Sequence, residues 1–180
     1  LPKVSDLVLQ VKLEGEWQRV EALVSNLGPS MQRGYDKAVG IFSRNLLAIV
    51  KKSLTLGIPP MGGGVTWQPL SPATIERWGQ HPIYNLTGLY SRSVGLYRYK
   101  SRVLIGLPIG TRRSSQKKLT LNQLAMMLEF GSSDGRIPPR PVWAPSLKAA
   151  GGKNKLKQLI LTEIRKELQK YGVRPNQVKW

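Results

Sequence analysis

At 180 residues and 41% hydrophobic content, the chain is long enough for a domain with a proper core and too apolar for wholesale disorder. It has no cysteine, which excludes disulfide staples, thiolate metal sites and cysteine nucleophiles, and its single histidine, His81, cannot build a multi-histidine metal site. The net charge of +18 is uneven: residues 1–27 hold three basic and four acidic side chains, a net of −1, so the remainder carries +19 and should attract polyanions, whether nucleic acid or an acidic protein surface.

No stretch approaches the roughly 18 consecutive apolar residues that a membrane span needs, so no membrane partner is expected. Asp6, Lys12 and Glu14 interrupt the apolar positions at the start, against a secretory leader. Leu1 is not methionine, from which we expect residues before it.

In chain order, residues 1–28 read as an arm. Leu7, Leu9, Val11 and Leu13 alternate as in a half-buried strand, and Trp17, Val20, Leu23, Val24 and Leu27 repeat at helical spacing up to Gly28-Pro29. The acidic balance of this arm permits it to lie on the basic body of another copy. A core domain is expected over 29–150. It opens with a long helix from Ser30 to Leu56, whose stripe is Met31, Tyr35, Val39, Phe42, Leu46, Leu47, Val50 and Leu54.

Gly57 to Gly64 is too rich in glycine and proline for a packed element, and Val65-Thr66-Trp67 stands where a phosphate loop would need Gly-Lys-Ser/Thr. Ser71 is a good N-cap with Pro72 at the first helical position, which predicts a short helix from Pro72 to Trp78 ending at Gly79. A helix of two turns needs tertiary pins, and Trp67, Leu70, Ile75 and Trp78 are the candidates. The turn Asn85-Leu86-Thr87-Gly88-Leu89-Tyr90-Ser91-Arg92-Ser93 follows; its Asn-x-Thr sequon at Asn85 is read as chance.

Leu96 to Leu107, with Tyr97, Tyr99, Val103 and Ile105 at odd positions, reads as a strand or hairpin with basic residues on its other face. The loop from Gly110 to Lys118 carries Arg112, Arg113, Lys117 and Lys118, a cationic tip for phosphate or for an acidic partner. Thr120 and Gln123 form a capping box for a helix over Leu121 to Phe130.

That helix ends in Leu128-Glu129-Phe130-Gly131. A polar turn, Ser132 to Gly135, leads to Ile137-Pro138-Pro139-Arg140-Pro141 and then Val142-Trp143-Ala144-Pro145-Ser146-Leu147. Three prolines fix φ and bias their predecessors toward extended backbone, which predicts a rigid strap holding Arg140 in one place. A salt bridge from Glu129 to an arginine, Arg140 being one candidate, within a subunit or across an interface, is the natural pairing. The final region, 151–180, begins at Gly151-Gly152 and holds a helix near Lys155 to Tyr171, stopped by Gly172.

Three of these stretches carry a resemblance: Trp67-Gln68-Pro69-Leu70-Ser71-Pro72-Ala73-Thr74-Ile75, the Leu86-Thr87-Gly88-Leu89 turn with Ser91 to Ser93, and Leu128 to Gly131 with the strap. Together and in this order they resemble elements of the tail-completion and virion-morphogenesis proteins of tailed bacteriophages, the group of Mu-like morphogenesis proteins and lambda-like minor tail protein Z. Pro139 and the pair Val142-Trp143 depart from the usual pattern and blur which branch is nearer.

The resemblance spans about residues 30 to 147 and implies an α+β fold: a long helix packed on a small antiparallel β-sheet, with short helices and a C-terminal helix. It further implies a non-enzymatic virion protein of the neck or tail top, assembled in the host cytoplasm. Such a protein forms a homo-oligomeric ring, expected to be a hexamer, that completes the tail and joins it to the DNA-filled head around an axial channel. Its partners would be neighbouring neck or head-completion proteins and tail-terminator or tail-tube proteins, with nonspecific contact to genomic DNA. No cofactor or metal is expected. Candidate subunit or partner contacts are Trp67, Leu70, Thr74, Trp78, Leu89, Glu129, Phe130, Arg140 and Trp143; Arg112, Arg113, Lys117 and Lys118 are candidates for DNA or an acidic partner.

The residues themselves keep other readings open. Glu163 and Glu167, four apart on one helix, are explained by surface ion pairs with Lys166, Lys170 and Arg165, and Glu76 has Arg77 and Arg92 as possible partners. The alternative reading is a basic, non-enzymatic nucleic-acid-binding or packaging accessory protein; a hydrolase built on these acids is the third.

Overall fold

The computed structural model describes residues 28–83, 87–99, 102–108 and 120–170. Among them, six helices and one two-stranded antiparallel sheet make an α+β fold. The expected arm over 1–28, all but its last residue, lies outside the described residues. So do the sequon at Asn85, the basic loop with Arg112, Arg113, Lys117 and Lys118, and the stop at Gly172.

The described residues form two compact units, 46–150 and 28–45 together with 151–170. The first helix, α1 (Pro29–Leu56), passes from one into the other. In the smaller unit its first half lies antiparallel to α6 (Gly152–Gln169), since Arg33 faces Glu167 while Lys37 faces Glu163. The two backbones meet at Gly34, where a Cβ would stand 2.8 Å from the Cα of Ile164. This close approach changes the stripe read from the sequence. In this half the buried positions are Met31, Gly34, Ala38, Gly40, Phe42 and Ser43, with Tyr35 and Val39 only half-buried, and Gly34, without a side chain, sits where the helices touch. Leu156, Ile160 and Ile164 are the buried apolar side chains of α6.

The larger unit holds the rest. Helix α2 (Pro72–Trp78) has its predicted cap: the Ser71 hydroxyl accepts from the Thr74 amide at 3.3 Å, and Pro72 opens the helix. Helix α3 (Leu89–Ser93) follows Gly88, whose φ of 66° is the left-handed region that favours glycine. Strands β1 (Gly95–Tyr99) and β2 (Arg102–Gly106) pair antiparallel, with Leu96 opposite Ile105 and Tyr97 opposite Leu104.

Helix α4 (Leu121–Phe130) begins with the full capping box. The Thr120 hydroxyl accepts from the Gln123 amide at 3.2 Å, and the Gln123 side chain accepts from the Thr120 amide at 2.8 Å. The strap then leads into α5 (Trp143–Ala149), a helix that the sequence reading leaves unassigned.

Two expectations need correction here. Helix α2 contains no buried residue, and Ile75 and Trp78 are 37% and 51% exposed, so neither pins it. The helix is held from its N-terminal side, through Trp67, Gln68 and Pro69. Nor does Glu76 form an ion pair among the described residues: Arg77 lies over the Trp78 ring at 5.2 Å, and Arg92 donates to the Thr87 carbonyl at 2.9 Å.

Candidate functional site

The stretch from Glu129 to Trp143 is a knot built from backbone groups. Helix α4 ends at Gly131, whose φ is 83° and whose absent Cβ would lie 3.0 Å from the Ile137 carbonyl oxygen. Only glycine turns the chain there without strain or collision. The turn beyond it is closed by Ser132, whose amide donates to the Ile137 carbonyl at 2.9 Å and whose hydroxyl accepts from the Ile137 amide at 2.8 Å. Asp134 accepts from the Ser132 hydroxyl and from the Arg136 amide, and these bonds hold its carboxyl below the ordinary aspartate range.

The strap then runs back along α4, and the Arg140 amide donates to the Leu128 carbonyl at 2.7 Å. The Arg140 side chain is buried, 6% exposed, and its guanidinium forks onto two carbonyls: Nε to Gln68 and Nη2 to Pro69, both at 3.1 Å. Trp67 completes this join by donating its indole N–H to the Pro141 carbonyl at 3.1 Å. Residues some 70 positions apart are thus clasped by three hydrogen bonds.

Glu129 has a different task from the salt bridge expected of it. Its Oε2 accepts from the Val142 amide at 2.7 Å and its Oε1 from the Trp143 amide at 3.3 Å. These are amides at the start of α5, which has no cap from its own N-terminal side chain, Val142. A carboxylate on α4 therefore caps α5, where unmet amides and the helix dipole favour negative charge. Arg140 turns to carbonyls instead because a guanidinium is donor only, and the Gln68 and Pro69 oxygens converge on its fork. No ion pair involves Glu129 among the described residues.

Tyr90, from α3, joins the same knot. It is 4% exposed and its hydroxyl hydrogen-bonds the Trp143 side chain. Burial, reinforced by the nearby Glu129 charge, pushes the Tyr90 phenol well above its ordinary range. Burial likewise raises Glu129, with the Val142 and Trp143 amides pulling the other way.

A cavity of about 220 Å³ opens beside this knot, between the hairpin and α4. Tyr97, Leu104, Ile105, Met126, Phe130 and Trp143 supply its apolar wall, and Glu129 is the only charged residue among the described residues that line it. Asn122 also lines it, with a side-chain oxygen that is buried and has no hydrogen-bond partner. Phe130 stands at the edge, 66% exposed.

Of the residues singled out from sequence, Trp67, Glu129, Arg140 and Trp143 meet in the knot. Phe130 and Trp143 line the cavity, Leu89 opens α3, and Leu70 is half-buried between the Trp67 anchor and Ser71. Thr74 serves the α2 cap, its hydroxyl 2.8 Å from that of Ser71, and Trp78 stands apart on the outer surface of α2. Sequence reasoning missed Tyr90 and Asn122, and missed Val142 as the amide that Glu129 serves. Tyr90 had a signal in its place next to the Gly88-Leu89 turn; the other two had none.

Among the described residues no three or more His, Asp or Glu side chains are grouped to hold a metal. The smaller unit contains the other buried carboxylates. Glu163 pairs with Lys166 at 2.6 Å and Lys37 at 3.1 Å, and Glu167 with Lys170 at 2.6 Å and Arg33 at 4.0 Å. Both side chains are under 10% exposed, so these are bonds between helices as well as along α6. No helix of the described residues is long and apolar enough to cross a membrane. Comparison with protein-family models, with curated proteins and with solved structures finds no match to this chain.

Proposed function

We propose that this chain is a structural virion protein of the phage neck or tail top, a ring subunit that completes the tail and joins it to the DNA-filled head. The observation that carries the reading is convergence. The three separated stretches that bear the resemblance, around Trp67 to Pro69, Leu89 to Ser91 and Glu129 to Trp143, supply the partners of one knot. Motif residues joined through backbone carbonyls and amides are suited to holding a shape, and such a shape can present arms and surfaces to neighbouring subunits.

In this reading the long helix α1 backs the small sheet, the ring is sixfold, and its axial channel passes the genome. The excess positive charge then serves two surfaces: phosphates along the channel and acidic faces of adjoining rings. Arg112, Arg113, Lys117 and Lys118 belong to one of these. The +19 carried beyond residue 27 also favours the second reading, a basic packaging accessory that binds DNA without assembling.

The deciding experiment combines mass determination with complementation. Purified full-length protein should form a ring, and phage particles lacking it should accumulate separate heads and tails that join when it is added. A chain that stays monomeric at high concentration, binds duplex DNA with a steep salt slope and does nothing for joining overturns the proposal in favour of the accessory.

A further inference from the structure

We propose that the Trp78 side chain of one copy docks into the apolar cavity beside Glu129 of a second copy, forming a head-to-tail contact. This rests on the ring reading above and names the interface through which the ring would close. Two unmet needs on one chain motivate it. Helix α2 is seven residues long with no buried residue, and it displays Ile75 and Trp78 at 37% and 51% exposure. A helix so short gains little from its own hydrogen bonds, and exposing an indole and an isoleucine on it forgoes the burial that would fix it.

The cavity is the complementary feature. An apolar cavity of about 150 Å³ holds a benzene ring. At about 220 Å³, this one has room for the larger indole. Charge agrees as well. Among the described residues Glu129 is the only charged group in the lining and has no cation paired with it, while the Arg77 guanidinium travels with Trp78, 5.2 Å above its ring. Docking the indole brings that cation to the rim of the cavity that holds the lone carboxylate.

Residues of α2 do not line the cavity, so knob and hole are separate features of the same unit. Separate complementary patches associate heterologously, and such contacts close into rings when the rotation permits. Aromatic anchors that fill desolvated pockets are where interface energy concentrates.

The test is sedimentation velocity of the full chain over a range of concentrations, with Trp78→Ala and Ala125→Phe, which fills the cavity from α4. Each variant should need at least about tenfold more protein to assemble, roughly 1.4 kcal/mol of lost contact. Mixed in equal amounts they should form a pair and nothing larger, because the first keeps its hole and the second its knob. If Ala125→Phe fails to fold by circular dichroism, Phe130→Ala at the exposed rim replaces it, with the same loss of assembly expected. Variants that assemble like the wild type, or a mixture that stays monomeric, overturn this interface and leave the ring reading in place. A wild-type chain that never assembles removes the ring itself, and this contact with it.

Discussion

Glu129 caps a helix that is not its own: its Oε2 lies 2.7 Å from the amide nitrogen of Val142, thirteen residues further along the chain. Helix α5 therefore depends on α4 for its first hydrogen bonds. Replacing Glu129 with Ala strands the Val142 and Trp143 amides and should cost about 2 kcal/mol, combining a lost cap with buried unmet donors. Glu129→Gln retains one acceptor oxygen and should lose less. Urea unfolding measures both, and an unchanged midpoint for Glu129→Ala would show that α5 stands without its cap.

Arg140 should resist conservative replacement. Lysine keeps the charge but has no planar fork, and cannot reach the Gln68 and Pro69 carbonyls together as Nε and Nη2 do at 3.1 Å. Arg140→Lys is expected to destabilise by about 1.5–3 kcal/mol, the range for a hydrogen bond to a charged group. Hydrogen exchange should quicken in α2, the element whose approach these bonds secure. Equal protection in the two proteins would mean that Trp67 alone holds the join.

The Gly131→Ala substitution isolates backbone conformation from side-chain chemistry. At φ 83° and ψ 167° Gly131 occupies a region nearly closed to other residues, which costs them about 1–3 kcal/mol. The added carbon would also press on the Ile137 carbonyl at 3.0 Å and on Pro139 Cδ at 3.2 Å. We expect a lowered unfolding midpoint larger than the φ penalty alone; a loss no bigger than that penalty would show the strap yielding freely.

Acid should act on Glu129 and on the pair Glu163 and Glu167 with opposite sign. Hydrogen bonds from Lys166 and Lys170 hold Glu163 and Glu167 below the ordinary value of 4.5, so their stabilisation is complete above that pH. It fades as pH drops below 4.5 toward the lowered folded values. Glu129 is raised by burial, so its ionised form burdens the fold at neutral pH, and that burden lifts as pH falls through the raised value toward 4.5. Chemical unfolding followed from neutral to acid pH should show Glu129→Gln removing the mild-acid gain and Glu163→Gln flattening the later loss. High salt should shrink only the second effect, because Lys37 and Lys166 are 53% and 56% exposed.

What could be read from sequence was what the chain settles locally. Ser71 with Pro72, and Thr120 with Gln123, declare helix starts within three residues, and both helices begin there. Helix α5 escaped because its cap is thirteen residues upstream and Val142 carries no capping group. The Glu129–Arg140 pairing was reasonable by charge. Within one chain it is not made, because amides and carbonyls from other segments satisfy each group first, a fact of tertiary geometry with no trace in spacing. In α1 the hydrophobic stripe located the buried face but overlooked Gly34 and Ala38, whose value lies in being small where Ile164 passes.

The strap over residues 137–142 has no regular secondary structure, yet it leaves no backbone donor open. Prolines at 138, 139 and 141 have no N–H to offer, and the three remaining amides are taken by Ser132, Leu128 and Glu129. A passing strand therefore finds no donor along it on which to add itself. That protects against edge-to-edge fibre growth between copies of the chain. Coil by shape, the segment is sealed by chemistry.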